Sequence, residues 1–363
     1  MKKIILSLSF CIPFLAVAQI PLGYYNTAIG SGSTLRVALR NIIRPHTELT
    51  YTPGLWNAYY TTDVKPSGKL WDMYSDIPGG TPAYQYTLGT DQCSGSSPSA
   101  EGGCYNREHC WPQSKFSRLP PMVSDLFEVI PTDYYVNNQR GDLPYGIVGG
   151  SVSLTFTNGS KLGPNTYTGA PSGNCYEPLD SFKGDIARTY FYMATCYYGA
   201  DSSNFISWEM ATGISFKPWA IQMLLEWHHN DPVSAKEINR NNKAYALQNN
   251  RNPFIDHPEF ADCIWGTTTC VNAIGEVTPT DQYIYINANP ANSTLSINWQ
   301  NGVDNEVGSI AVLNINGQAL FTTSTLNSTS NEASLNTASW AHGLYIVRIN
   351  CTYGTEVRKV VIE

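Results

Sequence analysis

Charge is scarce in this chain: Asp, Glu, Lys and Arg together make up 14% of its 363 residues. That shortage argues against a cytosolic, charge-rich helical protein. The 23 Tyr, 29 Gly and 22 Pro suit a loop-rich extracellular one instead. Beyond the N-terminus no apolar run approaches the roughly 20 residues needed to cross a bilayer, so no membrane span is expected. A basic surplus is also missing. The formal charge is −7, and it becomes two units more negative once Lys2 and Lys3 are removed with a leader. This excludes a globally basic nucleic-acid binder but leaves room for a local basic groove, with a modest salt dependence. Finally, there is no C-x2-C or H-x3-H pair of the kind that frames a structural zinc site.

What is present begins with a secretory leader, residues 1–18. Lys2 and Lys3 form its charged start, Ile4 to Leu15 its apolar middle, and Ala16-Val17-Ala18 a small-residue cleavage site. Cys11 leaves with it. Cys93, Cys104, Cys110, Cys175, Cys196, Cys263, Cys270 and Cys351 remain, and in an exported chain they read as a disulfide framework. Cys263 with Cys270 would close a short loop, and Cys93 with Cys104 or Cys110 would pin the segment that follows. The connectivity is not fixed by the spacing.

That following segment is Tyr105-Asn106-Arg107-Glu108-His109-Cys110-Trp111-Pro112. Hydrolysis of a phosphodiester needs a base that takes a proton from water near neutral pH, and imidazole is suited to that. It also needs a hard cation that neutralises phosphate charge, and a carboxylate can hold one. Glu108 and His109 supply both groups from adjacent positions. Neighbours on a strand point to opposite faces, so the pair is expected at a strand end or on a turn. A lone Glu-His pair is ordinarily a surface accident, and the flanks are what raise its weight here.

The string NREHCWPQS resembles the N-R-E-H-x-W-P-x-S signature of the bacterial endonuclease I family, secreted non-specific nucleases with a His-Me finger (ββα-metal) site. Five further segments extend the likeness: Asp72 to Asp76, Gly89 to Cys93, Ser124 to Gly146, the segment GDIARTYFYMA from Gly184, and the ordered pattern from Trp227 to Pro258 that ends NRNPFIDHP. The resemblance implies His109 as general base and a Mg2+ (or Mn2+ or Ca2+) held by Glu108 and Asn137. It also implies a guanidinium on a phosphate oxygen, assigned first to Arg140 with Arg107 and Arg118 as alternatives. An amide oxygen is an acceptable hard ligand, although Asn137-Asn138 taken alone reads as a turn. Asn106, Arg107, Arg240 and Arg251 are expected to contact nucleic acid. For the basic strip Lys236, Arg240, Lys243 and Arg251, a solvated helix face is the equally acceptable bland reading. His109 Nδ1 is expected to find a backbone partner that fixes the tautomer. Phe127 stands where the family usually has His, which puts the support of the site in question.

Helices are expected over Thr34 to Ile43, from Gly184 onward, and over Trp219 to Trp227. A further helix is expected to be capped by Asp231, with Pro232 at its first position. His228, His229 and His257 read as structural. A linker at 272–282, marked by Gly275, Thr278, Pro279 and Thr280, is followed by short alternating strands. Asn316-Gly317 is a hairpin signal among them. Residues 283–363 resemble the C-terminal sorting domain of the type IX secretion system of Bacteroidetes.

The expected architecture is therefore α+β. A His-Me finger nuclease domain spans 19–271 and a small all-β sandwich spans 283–363. The expected protein is a monomer secreted or displayed through the periplasm of a Gram-negative, Bacteroidetes-like cell. It would cut DNA and RNA to leave 5′-phosphate ends. A surface binder with weakened catalysis, or a phosphodiesterase acting on another polymer, is the alternative.

Overall fold

The computed structural model describes residues 20–267, apart from positions 22 and 96, and the strands and adjoining turns between 284 and 362. The leader, Cys270 and the Asn316-Gly317 turn fall outside the described residues. The chain divides into two compact units, Met1–Gly275 and Glu276–Glu363.

The first unit opens with α1 (Gly32–Ile43) and α2 (Gly54–Thr62). Leu35, Leu39 and Ile43 recur every four residues and are buried, which is the stripe that makes α1 amphipathic. The site elements follow: β1 (Tyr105–His109), β2 (Val129–Asp133) and α3 (Tyr134–Arg140). β1 and β2 form an antiparallel pair with Glu108 opposite Ile130. No loop separates β2 from α3, because Asp133 ends the strand and caps the helix, its side chain accepting from the Val136 amide at 2.9 Å. A small sheet of β3 (Leu154–Thr155), β4 (Lys161–Pro164) and β5 (Asn174–Glu177) comes next.

The core gathers around α4 (Asp180–Cys196). From Gly184 to Cys196 every residue of this helix is buried, as expected of a helix packed on all sides. It begins at Asp180, one turn ahead of the expected start at Gly184. The short pair β6 (Ala211–Thr212) and β7 (Ser215–Phe216) leads into α5 (Pro218–Asn230), α6 (Ala235–Gln248), α7 (Pro253–Asp256) and α8 (Phe260–Trp265).

Two expected boundaries are corrected here. α5 runs on through His228 and His229 to Asn230, and Asp231 closes it instead of opening the next helix. α6 is started by Ser234, whose hydroxyl accepts from the Glu237 amide while Glu237 answers on the Ser234 amide, a complete capping box. At its far end Asn249 adopts the left-handed conformation (φ 62°), one that Asn tolerates better than most side chains.

In the second unit, the order β11-β10-β13-β14 forms one sheet and β12-β9-β8 another. The strands are β8 (Ile284–Asn287), β9 (Thr294–Trp299), β10 (Val307–Asn314), β11 (Ala319–Thr323), β12 (Glu332–Asn336), β13 (Gly343–Cys351) and β14 (Gly354–Ile362). Alternate residues of both sheets, Leu295 and Ile297 with Ile310, Val312, Val347 and Ile349, share one apolar core. This is the arrangement of a sandwich.

Candidate active site

β1 presents its side chains alternately, and that alternation builds the site. Asn106 and Glu108 share the face beneath α3. Asn137 on α3 donates its Nδ2 to Asn106 Oδ1 at 2.9 Å and to the Arg107 carbonyl at 3.2 Å. One turn further on, Arg140 donates Nη1 to Glu108 Oε1 at 2.9 Å. Arg107 and His109 share the opposite face, where Tyr51 meets both. Its ring lies 3.5 Å from the Arg107 guanidinium carbon and is stacked on the His109 imidazole at 5.9 Å. His109 is the last residue of the strand, where the Glu-His pair was expected, but the strand's alternation still sets it on the face opposite Glu108.

Each donor set is partly engaged and partly free. Glu108 Oε1 accepts from Arg140 and from the Tyr74 hydroxyl at 2.7 Å, while Oε2 takes no hydrogen bond from the described residues. Because Asn137 turns its NH2 toward two acceptors, its Oδ1 faces away from them. The site thus offers one carboxylate oxygen and one amide oxygen, hard donors of the kind Mg2+ takes. Burial drives the Glu108 carboxyl up to about 7, against the opposing pull of Arg140 and the Tyr74 bond. A cation on Oε2 would keep it ionised.

His109 is buried among Tyr51, Phe116 and the loop after β1. Its Nε2 lies 3.1 Å from the Val123 carbonyl oxygen. A carbonyl only accepts, so Nε2 carries the proton and Nδ1 carries the lone pair. The backbone partner expected at Nδ1 is therefore found at Nε2. Desolvation lowers the imidazole to about 4, with the charges of Arg107, Arg140 and Arg118 acting in the same direction, so it stays neutral through the physiological range.

The arginines are placed differently from expectation. Arg140 is 1% exposed, and besides Glu108 it donates to the His109 carbonyl at 3.0 Å and the Cys110 carbonyl at 2.9 Å, so it holds the site from within. Arg240 and Arg251, expected in a nucleic-acid groove, are buried. Arg240 is bound to Asp63 at 2.8 Å and to the Leu126 carbonyl at 2.6 Å, and Arg251 is clasped by Asp256 at 2.6 and 2.7 Å. Both look alike in sequence whether the guanidinium faces water or a buried carboxylate, Arg240 on α6 and Arg251 in the loop after it. Arg107 is half-buried, its guanidinium between the rings of Tyr51 and Trp56 and donating to the Tyr51 carbonyl at 2.5 Å. Arg118 is exposed and follows Ser117 in a second consecutive left-handed conformation (φ 56° and 57°). Tyr145 and Tyr51 are site neighbours that the sequence did not single out, and Tyr74 is a third neighbour. Tyr74 alone carried a hint, from its place in the Asp72 to Asp76 segment.

Phe127 lies in the core, packed on Tyr192 with ring centroids 4.8 Å apart, so an apolar residue fits there. Cys93 and Cys104 are bonded, Cys263 is in a disulfide, and Cys110 is a free buried thiol. Elsewhere, donor atoms of His46, Asp125 and Cys196 lie within 4.8 Å of one another. Asp125, however, already accepts from the Tyr192 and Tyr197 hydroxyls, the Phe127 amide and Gln248. With both carboxylate oxygens of Asp125 engaged, the cluster serves as a polar hub of the core.

The family model described as Endonuclease I matches residues 31–259, and that described as the secretion system C-terminal sorting domain matches residues 286–363. An extracellular ribonuclease of Bacillus amyloliquefaciens is 36% identical over 249 residues, covering 67% of this chain and 78% of the relative. An extracellular ribonuclease of Bacillus subtilis (strain 168) is 35% identical over the same length and shares. The chain is a nuclease of the endonuclease I family, a membership that implies a divalent cation, and it carries a C-terminal secretion-sorting domain.

Proposed function

We propose that this protein is a secreted, Mg2+-dependent, non-specific endonuclease that hydrolyses RNA as well as DNA and leaves 5′-phosphate ends. The observation that carries the reading is the ββα unit itself. Two unengaged oxygens, Glu108 Oε2 and Asn137 Oδ1, belong to the elements that also fix a neutral imidazole at the end of β1. Mg2+ bound there would supply charge neutralisation at the scissile phosphate and the leaving oxygen.

The chain's own groups do the rest. His109 Nδ1 takes a proton from water, and the Val123 carbonyl holds the ring in the tautomer that leaves this nitrogen bare. Arg118, exposed and close enough for its charge to act on His109, takes the phosphate-binding role first assigned to Arg140. Asn106 fixes the Asn137 amide, and Arg107 holds Tyr51 against the imidazole. Contacts of this sort read phosphate and sugar, not base edges, so cutting is indifferent to sequence. The nucleic-acid arm of the reading is favoured by the two relatives named as ribonucleases. Export follows the type IX route of a Bacteroidetes-like, Gram-negative cell, through the periplasm, with the protein acting as a monomer.

The test is incubation of the purified chain with plasmid DNA and with structured RNA, with Mg2+ or with EDTA, followed by end analysis. Mg2+-dependent loss of both substrates with 5′-phosphate ends is expected. Cutting that persists in EDTA, or 2′,3′-cyclic phosphate ends on RNA, would overturn it.

A further inference from the structure

The 72–76 turn is buried, lies outside the ββα unit, and is tied to both residues assigned to the cation, to Glu108 directly and to Asn137 through its helix. Tyr74, 0% exposed, donates its hydroxyl to Glu108 Oε1 at 2.7 Å, and Tyr145 Oη lies 2.8 Å from Tyr74 Oη. The single hydrogen of Tyr74 is committed to the carboxylate, so Tyr145 must donate to Tyr74. The chain of donors therefore runs one way, from Tyr145 through Tyr74 to Glu108. Tyr145 is itself set over the Arg140 guanidinium at 4.5 Å, and Arg140 is the other donor to Oε1. Tyr74 has little freedom, with its ring 4.8 Å from that of Tyr176, whose hydroxyl donates to Ser160.

The same turn is tied to the second ligand. Asp72 accepts from the Tyr74 amide at 2.8 Å through Oδ1, and from the Asp133 amide at 3.0 Å through Oδ2. Asp133 caps α3, the helix that carries Asn137. One turn thus references Glu108 through a phenol and Asn137 through a helix cap.

We propose that Tyr74 is a positioning residue for the cation: by occupying Oε1 together with Arg140, it leaves Oε2 as the one carboxylate oxygen presented to the metal, in register with Asn137. This rests on the assignment of Glu108 as a cation ligand. Partners that orient a metal ligand in this way change metal affinity more than they change substrate affinity.

The experiment measures Mn2+ binding by titration calorimetry and the Mg2+ dependence of cutting, on the full chain and on Tyr74→Phe, Tyr145→Phe and Glu108→Ala. Tyr74→Phe keeps the ring and removes the donor. It is expected to raise the half-saturating cation concentration about tenfold and to leave KM for nucleic acid unchanged at saturating Mg2+. Tyr145→Phe, one bond more remote, should shift it in the same direction by less. If Glu108→Ala loses Mn2+ while both phenylalanine variants bind it like the parent, the positioning role is overturned and the ligand assignment stands. If Glu108→Ala binds Mn2+ like the parent, the ligand assignment itself fails, whatever the tyrosine variants do. A loss of thermal stability in Tyr74→Phe with no change in cation dependence also counts against the proposal, because that is the signature of packing alone.

Discussion

The carbonyl oxygen of Val123 holds Nε2 of His109 at 3.1 Å, which leaves Nδ1 as the basic atom of an imidazole lowered to about 4. A base kept neutral in this way is present throughout the working range. Replacing His109 with Ala is expected to lower kcat by about 10²–10⁴-fold while Mn2+ binding persists. Single-turnover cutting together with a binding titration checks both halves.

Acidity should act on this enzyme through Glu108 before it acts on His109. The Glu108 carboxyl sits at about 7 before a cation binds, so below that pH a proton and a cation compete for it. At subsaturating Mg2+ cutting should decline as pH falls below 7, and saturating Mg2+ should move the decline toward lower pH. A pH profile taken at two Mg2+ concentrations measures the shift. Coincident profiles would contradict the competition.

Two arginines near the imidazole should behave in opposite ways. Arg140 is buried against Glu108 and two carbonyls, so Arg140→Met strands a carboxylate and should cost about 3–5 kcal/mol of stability. Arg118 is exposed, so Arg118→Ala should leave stability within about 0.5 kcal/mol and depress cutting instead. Denaturant melts and initial rates on the same preparations distinguish the two roles. A stable, slow Arg140→Met variant would return the phosphate role to that residue.

This contrast marks how far the sequence could be read. Glu108 and His109 stood out as candidates by residue type and adjacency, whereas Asn137 was reached only through the family resemblance, because Asn137-Asn138 taken alone reads as a turn. The short strand β1 was legible only as a site segment, since five residues give too little alternation to fix a face. Tyr74 was hidden because its partner lies 34 positions away, and Arg240 was misassigned because Asp63 lies 177 positions away. The start of α6 was misplaced because Asp231-Pro232 is a plausible opening, whereas the true cap, Ser234 with Glu237, carries both halves of a capping box. For Tyr74 and Arg240 the residue type was plain and the long-range partner decided its use, whereas at α6 two local caps competed.

Acid should also loosen the nuclease unit. His228 donates Nε2 to the Pro258 carbonyl at 3.0 Å and offers Nδ1 to Arg188 at 3.3 Å, so both nitrogens are used in the neutral form. Burial, then the Arg188 charge, lowers it to about 4. Its folded value lies below the unfolded one of about 6.5, so between these values the unfolded chain takes up a proton that the folded chain refuses. The contribution is complete above pH 6.5 and disappears as pH falls toward 4, a loss of about 2–3 kcal/mol. Urea unfolding at pH 7, 5.5 and 4 should show this slope in the parent, and His228→Gln should flatten it by that amount.

The Cys93–Cys104 bond should support the site mechanically and not chemically. It closes a loop of sequence separation 11 whose far end runs directly into β1, and the Cys93 amide donates to the Tyr105 carbonyl at 3.0 Å. Neither cysteine touches Glu108, His109 or Asn137 among the described contacts, so the double replacement Cys93→Ser, Cys104→Ser leaves the reacting groups in place. Constraint of the unfolded chain by a loop of this size contributes about 2–3 kcal/mol. The variant should therefore melt earlier while its kcat and Mg2+ dependence, measured well below the melt, remain those of the parent. The buried thiol of Cys110 is raised far above the ordinary range, so it should resist alkylation in the folded parent and react only on unfolding. A kcat that collapses with the disulfide at low temperature would mean instead that β1 cannot hold Glu108 and His109 in place without it.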